Sequence, residues 1–176
     1  SRMVSRLTQH MVKVIQMDET NPRGLRNVID GEAELLQGFE FNINGKLGNT
    51  LYAPVTTVLD RATGEASVTL ASFVPSIDIA APGGTTHFKV VAAGMEVDFE
   101  NETFNSKSSE STVLAWDTTA TAEIKLENPL TANSTHPLFL VLGLEFYQEV
   151  NGEKYPLKNG AFNALQIVIN FMGFYA

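Results

Sequence analysis

The sequence predicts a mainly β domain, an antiparallel β-sandwich of the immunoglobulin-like or fibronectin-III-like kind, preceded by a short N-terminal helical segment. Apolar residues recur at three- and four-residue intervals only near the start of the chain. After Phe39 they alternate with polar residues, and Gly, Asn and Asp turns separate the extended runs. Helical patterns do not alternate with these runs, which argues against a parallel sheet. We therefore divide the chain into a helical segment, residues 1–38, that packs on or links to a sandwich domain, residues 39–176.

The first helix is predicted from Met3 to Met17. Val4, Leu7 and Met11 belong to its apolar stripe, and charged or amide side chains fall mostly between them. The Asn-Pro-Arg-Gly run at residues 21–24 ends the helix, because Pro cannot continue the hydrogen-bond ladder. An amphipathic helix of this kind has to bury its stripe against another surface.

A second short helix is predicted over residues 28–37, with Gly38 as its C-terminal cap. The chain then becomes extended, because Phe39, Phe41 and Ile43 alternate with polar residues. This alternation is the first strand that the sequence predicts.

The other predicted strands are joined by turns with known residue preferences. Gly64 is expected in the left-handed conformation of the first hairpin, and Asn151-Gly152 is the strongest short hairpin signal. Gly94 is expected to separate two strands, and residues 138–142 are apolar on both faces, as in a central strand. The predicted strands cover residues 55–59, 66–70, 86–91, 95–99, 111–116, 120–126, 138–150, 154–157 and 162–171.

Composition excludes several classes of function. The chain has 20 Asp and Glu against 12 Lys and Arg and a net charge of −8, so we expect no nucleic-acid partner and no adhesion to an anionic membrane. No run of roughly 18 apolar residues is present, and we expect no direct membrane insertion. The absence of cysteine excludes disulfides and thiolate chemistry.

Five stretches spread over nearly the whole chain carry a resemblance, at residues 2–9, 23–28, 35–42, 144–148 with 150–152, and 157–165. Together they resemble a group of uncharacterised proteins of the Bacteroidota. The resemblance implies that an N-terminal region of several tens of residues, beginning with a Gly-rich β-like stretch, is missing from this chain. It implies no activity, catalytic residue or cofactor. The C-terminal residues 170–176 depart from the pattern in being unusually apolar.

Four carboxylates, those of Glu96, Asp98, Glu100 and Glu102, would share one face of an extended strand. Their repeat along that strand would be roughly 6.6 to 6.8 Å. They are the candidate ligands for a hard cation such as calcium, which normally takes about six to eight oxygens that converge from loops. A straight row is more simply the solvated side of a half-buried strand, so we predict no metal site and no cofactor.

The remaining motifs predict no catalysis. His10, His87 and His136 lack metal-ligand spacing, and the Gly-rich run at residues 82–86 lacks the Lys and the helix of a phosphate cradle. No nucleophile elbow occurs, so a hydrolase with a site scattered over loops is the least favoured function. Trp116 is either a carbohydrate-stacking platform or a core residue.

The two ends of the chain are the candidate assembly elements. The helix stripe is buried on its own domain, on the absent upstream region or on a neighbour. The last strand is so apolar that it has to pair within its own sheet or with another chain, because an unpaired edge recruits other chains. The candidate assembly residues are Val4, Leu7, Met11, Ile169, Phe171, Met172, Phe174 and Tyr175.

We therefore expect a non-enzymatic structural or interaction protein that self-associates into a homo-oligomer or polymer. One form is a subunit of a surface or extracellular filament that is joined by terminal strand pairing. The alternative is a carbohydrate- or calcium-binding sandwich module, with its site in the loops near Trp116 or on the face from Glu96 to Glu102.

Overall fold

The computed structural model describes residues 2–15 and 37–172, which form one long helix and two antiparallel sheets. Short helical turns cover Leu47–Asn49, Pro75–Asp78 (α2) and Leu157–Gly160. The helix α1 spans Arg2–Ile15, and the strands are β1 (Val55–Leu59), β2 (Ala66–Leu70), β3 (His87–Asp98), β4 (Thr103–Glu110), β5 (Leu114–Ala115), β6 (Ile124–Glu127), β7 (Leu138–Val150), β8 (Glu153–Pro156) and β9 (Ala164–Phe171).

The smaller sheet has the strand order β1-β2-β6, and the larger sheet is built around β3 and β7. Strands β4 and β5 pair with the outer edge of β3, while β8 and β9 pair with the outer edge of β7. Every pairing is antiparallel. The predicted antiparallel β-sandwich with a short N-terminal helix is confirmed.

The main core lies between the two sheets. Phe88 and Val90 on β3 point into it and meet Val68 of the smaller sheet in one buried cluster. The residue between them in sequence, Lys89, points to the opposite face, because side chains alternate along a strand. The predicted central strand is confirmed as β7, which lies between β3 and β9 and is buried on both faces from Leu138 to Tyr147.

The helix α1 covers the outer face of the larger sheet and forms a third layer. Its residues Met3, Leu7, Met11 and Ile15 are spaced by four and are at most 2% exposed. They pack with outward-facing residues of β3 and β7 such as Val141. Leu7 and Met11 were candidate assembly residues, and that assignment is wrong for them, because their side chains are buried within their own domain. The side chain of Val4 lies outside the described residues, and so do residues 28–36 of the second helix, which was predicted over residues 28–37.

The predicted strand from Phe39 is wrong. This stretch makes only an isolated bridge between Glu40 and Gln166, and it then turns. A polar side chain holds the following loop in place, because the Glu40 carboxylate accepts hydrogen bonds from the backbone N–H groups of Leu47 and Gly48 at 2.9 and 3.0 Å. Ile43 is 51% exposed and is not an inward-facing strand residue.

The predicted break at Gly94 is also wrong, because β3 runs without interruption through this residue. A Cβ at Gly94 would lie 3.0 Å from the Cβ of Ala66 and from the carbonyl oxygen of Asn128. The glycine is therefore required by close packing between the sheets and does not end a strand.

Two other strand predictions need correction. The strands predicted over residues 111–116 and 120–126 are shortened to β5 and β6. The sequence also missed β4, whose side chains are mostly polar and exposed or half-buried. An edge strand of this composition has no hydrophobic alternation to detect. The hairpin turns at Gly64 and Asn151-Gly152 are confirmed by their positive φ angles of 78°, 53° and 82°.

Candidate functional site

The predicted row of four carboxylates is not a row. Glu96 and Asp98 lie on β3, but residues 99–102 form the turn into β4, and Glu102 has a φ of 54°. The chain reverses direction between the second and third carboxylates, so the four do not share a strand face. Within residues 2–15 and 37–172, no three His, Asp or Glu side chains lie close enough together to hold a metal ion.

The two carboxylates on β3 organise loops instead. Glu96 is 8% exposed and accepts hydrogen bonds from the Thr131 amide at 3.0 Å and the Asn105 amide group at 3.3 Å. Burial raises the pKa of Glu96, but these hydrogen bonds outweigh it and hold the pKa below its ordinary value. Asp98 accepts two hydrogen bonds from Asn101, and these lower its pKa.

The three histidines lie apart and have separate partners. His10 on α1 contacts the Ser106 hydroxyl at 2.6 Å, and burial lowers its pKa, with a further contribution from Lys13. His87 contacts the hydroxyl of its neighbour in sequence at 2.9 Å. His136 lies 4.0 Å from Asp98. They do not form a shared site.

The position of Trp116 answers the question that the sequence left open. Its ring packs against the core between the sheets, and its indole N–H donates to the Ile79 carbonyl at 3.1 Å. The indole is therefore partly buried and hydrogen-bonded as a core residue and is not a free stacking platform.

The last strand completes its own sheet. Ile169 pairs with Leu140 and Phe171 with Leu138, yet Phe171 and Met172 are 41% and 43% exposed. Arg61 holds the end of β9, because its guanidinium donates to the Met172 carbonyl at 3.2 Å. Phe174 and Tyr175 lie outside the described residues.

The edge of β1 is open. Ala66 pairs with Leu59 of β1, and its carbonyl accepts from the Asn128 amide on the side of β6, so its main-chain groups point away from β1. Main-chain groups alternate in direction along antiparallel strands, so those of Val55 and Thr57 point away from β2. Among the described residues, no main-chain hydrogen bond from outside the sheet reaches them.

A slot with a mixed apolar and polar lining opens beside this edge. It lies between β1 and β9 and has a volume of about 260 Å³. Its lining combines leucine and valine side chains, such as Val55 and Val168, with the polar side chains of Thr57 and Gln166. Val55 and Val58 on β1 are 36% and 37% exposed. We call β1 and this slot the open flank. An unpaired strand edge next to a slot for side chains has the geometry of strand addition.

A second concavity lies at the loop end of the sandwich. We call it the lysine cleft: it has a volume of about 590 Å³ and lies between the loop at residues 43–50, the turn at residues 80–83 and the loop at residues 158–162. Lys46 and Lys158 contribute the charged groups of its lining, and its lining contains no Asp or Glu.

Short-range contacts hold the walls of the lysine cleft together. The Asn42 side chain donates to the carbonyls of Ala161 and Asn163 at 2.9 and 2.8 Å. A Cβ at Gly45 would collide with the Phe162 carbonyl, so only glycine permits this approach of the two loops. Lys158 stands in the left-handed region with a φ of 47°, a conformation that costs a non-glycine residue about 1–2 kcal/mol.

A charged network lies on the outer face of the larger sheet, with Glu110 exposed at its rim and Lys89, Glu145 and Tyr147 largely buried. The Lys89 ammonium is 2.8 Å from Glu110 and 3.3 Å from Glu145, and the Tyr147 hydroxyl donates to Glu145 at 2.7 Å. Burial raises the pKa of Glu145, and it also raises the pKa of Tyr147 to about 12 with help from the Glu145 charge. Burial lowers the pKa of Lys89, but its two carboxylate partners outweigh this and raise the pKa above its usual range. The network is satisfied internally, which indicates a structural role.

No family model matches the chain, and no curated protein matches it. Two solved structures are similar over part of it. One is from work on the pH-induced modulation of Streptococcus parasanguinis adhesion by Fap1 fimbriae, with 13% identity, a TM-score of 0.29, and coverage of 64% of this chain and 78% of that chain. The other is the human F-spondin reeler domain, with 13% identity, a TM-score of 0.24, and coverage of 67% of this chain and 89% of that chain. Likenesses of this size transfer no role to this protein. Within the described ranges, no helix is long and apolar enough to cross a membrane.

Sequence reasoning missed both the open flank and the lysine cleft. Val55 and Thr57 looked like ordinary strand residues, because the sequence does not show which strand lies at an edge. The cleft left a faint signal in the run Lys158-Asn159-Gly160, since Asn and Gly favour left-handed backbone. Lys46 gave none, because its loop is brought to Phe162 only by the fold.

Proposed function

We propose that this protein is a non-enzymatic structural subunit that self-associates head-to-tail by strand addition at the open flank. The unpaired edge of β1, with main-chain groups of Val55 and Thr57 directed outwards, is the observation that carries the proposal. The proposed occupant is the terminal segment of a second copy, which we define as residues 172–176.

Two features of the chain support this occupant. The terminal segment reads Met-Gly-Phe-Tyr-Ala, and it follows directly on β9, one of the two strands that border the slot. Its apolar side chains match the leucine and valine side chains in the lining of the slot. Burial of about 200 Å² of apolar surface would contribute about 5 kcal/mol before the entropic cost of association is subtracted.

The proposed contact joins different surfaces of the two copies. Each copy that receives a terminal segment at its β1 edge still has its own terminal segment to donate. A contact of this type produces an open chain of subunits unless its rotation closes a ring. A filament at the cell surface or outside the cell is the assembly we propose. The geometry supports the alternative function less well, which was carbohydrate or calcium binding at Trp116 or Glu96. Both side chains already have hydrogen-bond partners within the fold.

Two variants test the proposal, each of which removes one half of the contact. Thr57→Pro removes an outward-pointing N–H and leaves the hydrogen bonds to β2 intact. An edge strand tolerates proline at a position whose N–H faces solvent. Truncation after Phe171 removes the terminal segment and leaves β9 whole. We expect light scattering to show concentration-dependent association of the full chain and a monomer for each variant.

A mixture of the two variants is the decisive measurement. Thr57→Pro retains a terminal segment and the truncated chain retains an open edge, so the mixture should form a heterodimer and nothing larger. Ile77→Ser is the control, because Ile77 is 74% exposed on α2 and its side chain belongs neither to β1 nor to the lining of the slot. It should associate like the full chain. A full chain that remains monomeric at high concentration, or a mixture that does not combine, would overturn the proposal.

A further inference from the structure

We propose that the lysine cleft binds an acidic saccharide, a sugar unit whose ring carries a carboxylate. This site is separate from the open flank, and the inference does not depend on self-association.

The charge of the lysine cleft is opposite to that of the protein as a whole. The chain carries a net charge of −8, whereas the lining of the cleft holds Lys46 and Lys158 and no acidic residue. Within the described part of the chain, neither lysine lies within 4.0 Å of a carboxylate. Two ammonium groups without counter-charges in an otherwise acidic protein favour an anionic ligand.

The other lining groups match a sugar ring. The side-chain amides of Asn44 and Asn49 make no hydrogen bond to another described residue, and each offers a donor and an acceptor to hydroxyl groups. Ile43, which is 51% exposed, supplies apolar surface for the C–H face of a ring. A peptide carboxylate would use the lysines and leave the two amides without partners, so the saccharide fits the complete lining better.

The cleft is organised before any ligand binds. The Lys46 carbonyl accepts hydrogen bonds from the backbone N–H of Asn49 at 3.1 Å and from the Thr50 hydroxyl at 2.6 Å. These two bonds hold the backbone that carries Lys46. Lys158 stands over the Phe162 ring at 5.1 Å. Strained backbone at Lys158, held in place by surrounding contacts, is typical of binding sites. A preformed site loses less entropy on binding.

The experiment is a calorimetric titration of the full chain with two matched disaccharides, cellobiouronic acid and cellobiose. They differ only in a carboxylate that replaces a hydroxymethyl group. We expect the acid to bind at least about tenfold more tightly than the neutral sugar, and Lys46→Ala and Lys158→Ala each to weaken the acid about tenfold. Thr57→Pro should bind like the full chain, which separates this result from the test of assembly.

Lys107→Ala is the matched control. Lys107 is an exposed lysine on β4 that lies within 4.0 Å of no carboxylate among the described residues, and its loss should leave the affinity unchanged. Equal binding of both sugars, no binding of either, or an equal loss in Lys107→Ala would overturn the proposal. So would equally tight binding of an acetylated dipeptide with a free carboxylate. Thermal melts of each variant confirm that the fold is intact, because all three lysines are at the surface.

Discussion

At the scale of single residues, the most constrained group is the network of Lys89, Glu145 and Tyr147. These three titratable side chains lie on one face of β3 and β7. Glu145 holds the other two in position, because its carboxylate pairs with the Lys89 ammonium and accepts a hydrogen bond from the Tyr147 hydroxyl. Removing one member of a buried network leaves its partners unsatisfied, which costs more than the lost bond itself. The contribution of the network to the free energy of unfolding is therefore best measured by removing the Tyr147 hydroxyl, because this changes neither the charge nor the volume of the side chains greatly.

We expect Tyr147→Phe to lower the free energy of unfolding by about 1–3 kcal/mol at neutral pH, since Glu145 loses its hydroxyl donor. The pKa of Tyr147 is raised from 10.0 to about 12, so the folded state binds this proton more tightly than the unfolded state. The contribution of the protonated Tyr147 hydroxyl to the free energy of unfolding is fully present below pH 10.0, the ordinary pKa, and is lost as the pH rises towards 12. The difference in stability between wild type and variant should therefore narrow across this window in urea denaturation.

The control for this experiment is Tyr155→Phe. Tyr155 is 55% exposed on β8, and its substitution should change the free energy of unfolding by less than about 0.5 kcal/mol. A stability difference for Tyr147→Phe that stays constant or widens between neutral pH and the alkaline limit would contradict the assignment.

At the scale of elements, the apolar side chains along one side of α1 hold the helix on the larger sheet. Met11 is fully buried over the larger sheet, whereas Gln9 on the opposite side is exposed. A Cβ at Gly143 of β7 would collide with the side chain of Ile15, so the helix end lies directly on the strand. The helix is thus part of the folded core, although it precedes the strands in sequence.

Met11→Ala should lower the free energy of unfolding by about 2–5 kcal/mol, because a large buried side chain leaves a cavity between helix and sheet. Gln9→Ala should leave the stability nearly unchanged. Urea denaturation followed by circular dichroism measures both. Equal effects of the two substitutions would show that α1 is not packed on the larger sheet.

The same elements show where sequence patterns suffice. The hairpin at Asn151-Gly152 and the helix stripe were predicted because both depend on residues close together in the chain. The strand β4 was missed because its polar side chains lie at an edge. Gly94 was misread because its reason for being glycine is Ala66, a residue of another sheet.

At the scale of the whole molecule, the net charge of −8 acts in opposite directions on the two proposed contacts. Two copies of the chain repel each other, so salt should favour assembly at the open flank. The lysine cleft attracts an anion, so salt should weaken its ligand. The screening length falls from about 30 Å at 0.01 M to about 8 Å at 0.15 M ionic strength.

Raising the ionic strength over this range should strengthen self-association of the full chain at least about threefold and weaken binding of cellobiouronic acid by a similar factor. Light scattering and calorimetry measure the two constants on the same preparation. If assembly weakened with salt, charge pairing and not apolar strand addition would hold the subunits together.

The sequence by itself determined the class of this protein: a period of two in the strands from Val55 onwards, turn residues between the strands, and an amphipathic helix at the start. These features follow from interactions between neighbours in the chain, and each is recorded locally. The tertiary structure alone decided that β1 lies at an open edge, that a turn separates the carboxylates of Glu96 and Glu102, and that Lys46 and Lys158 line the same cleft. Strand order and loop contacts join residues far apart in sequence, and their partners follow from how the layers pack and not from any local pattern.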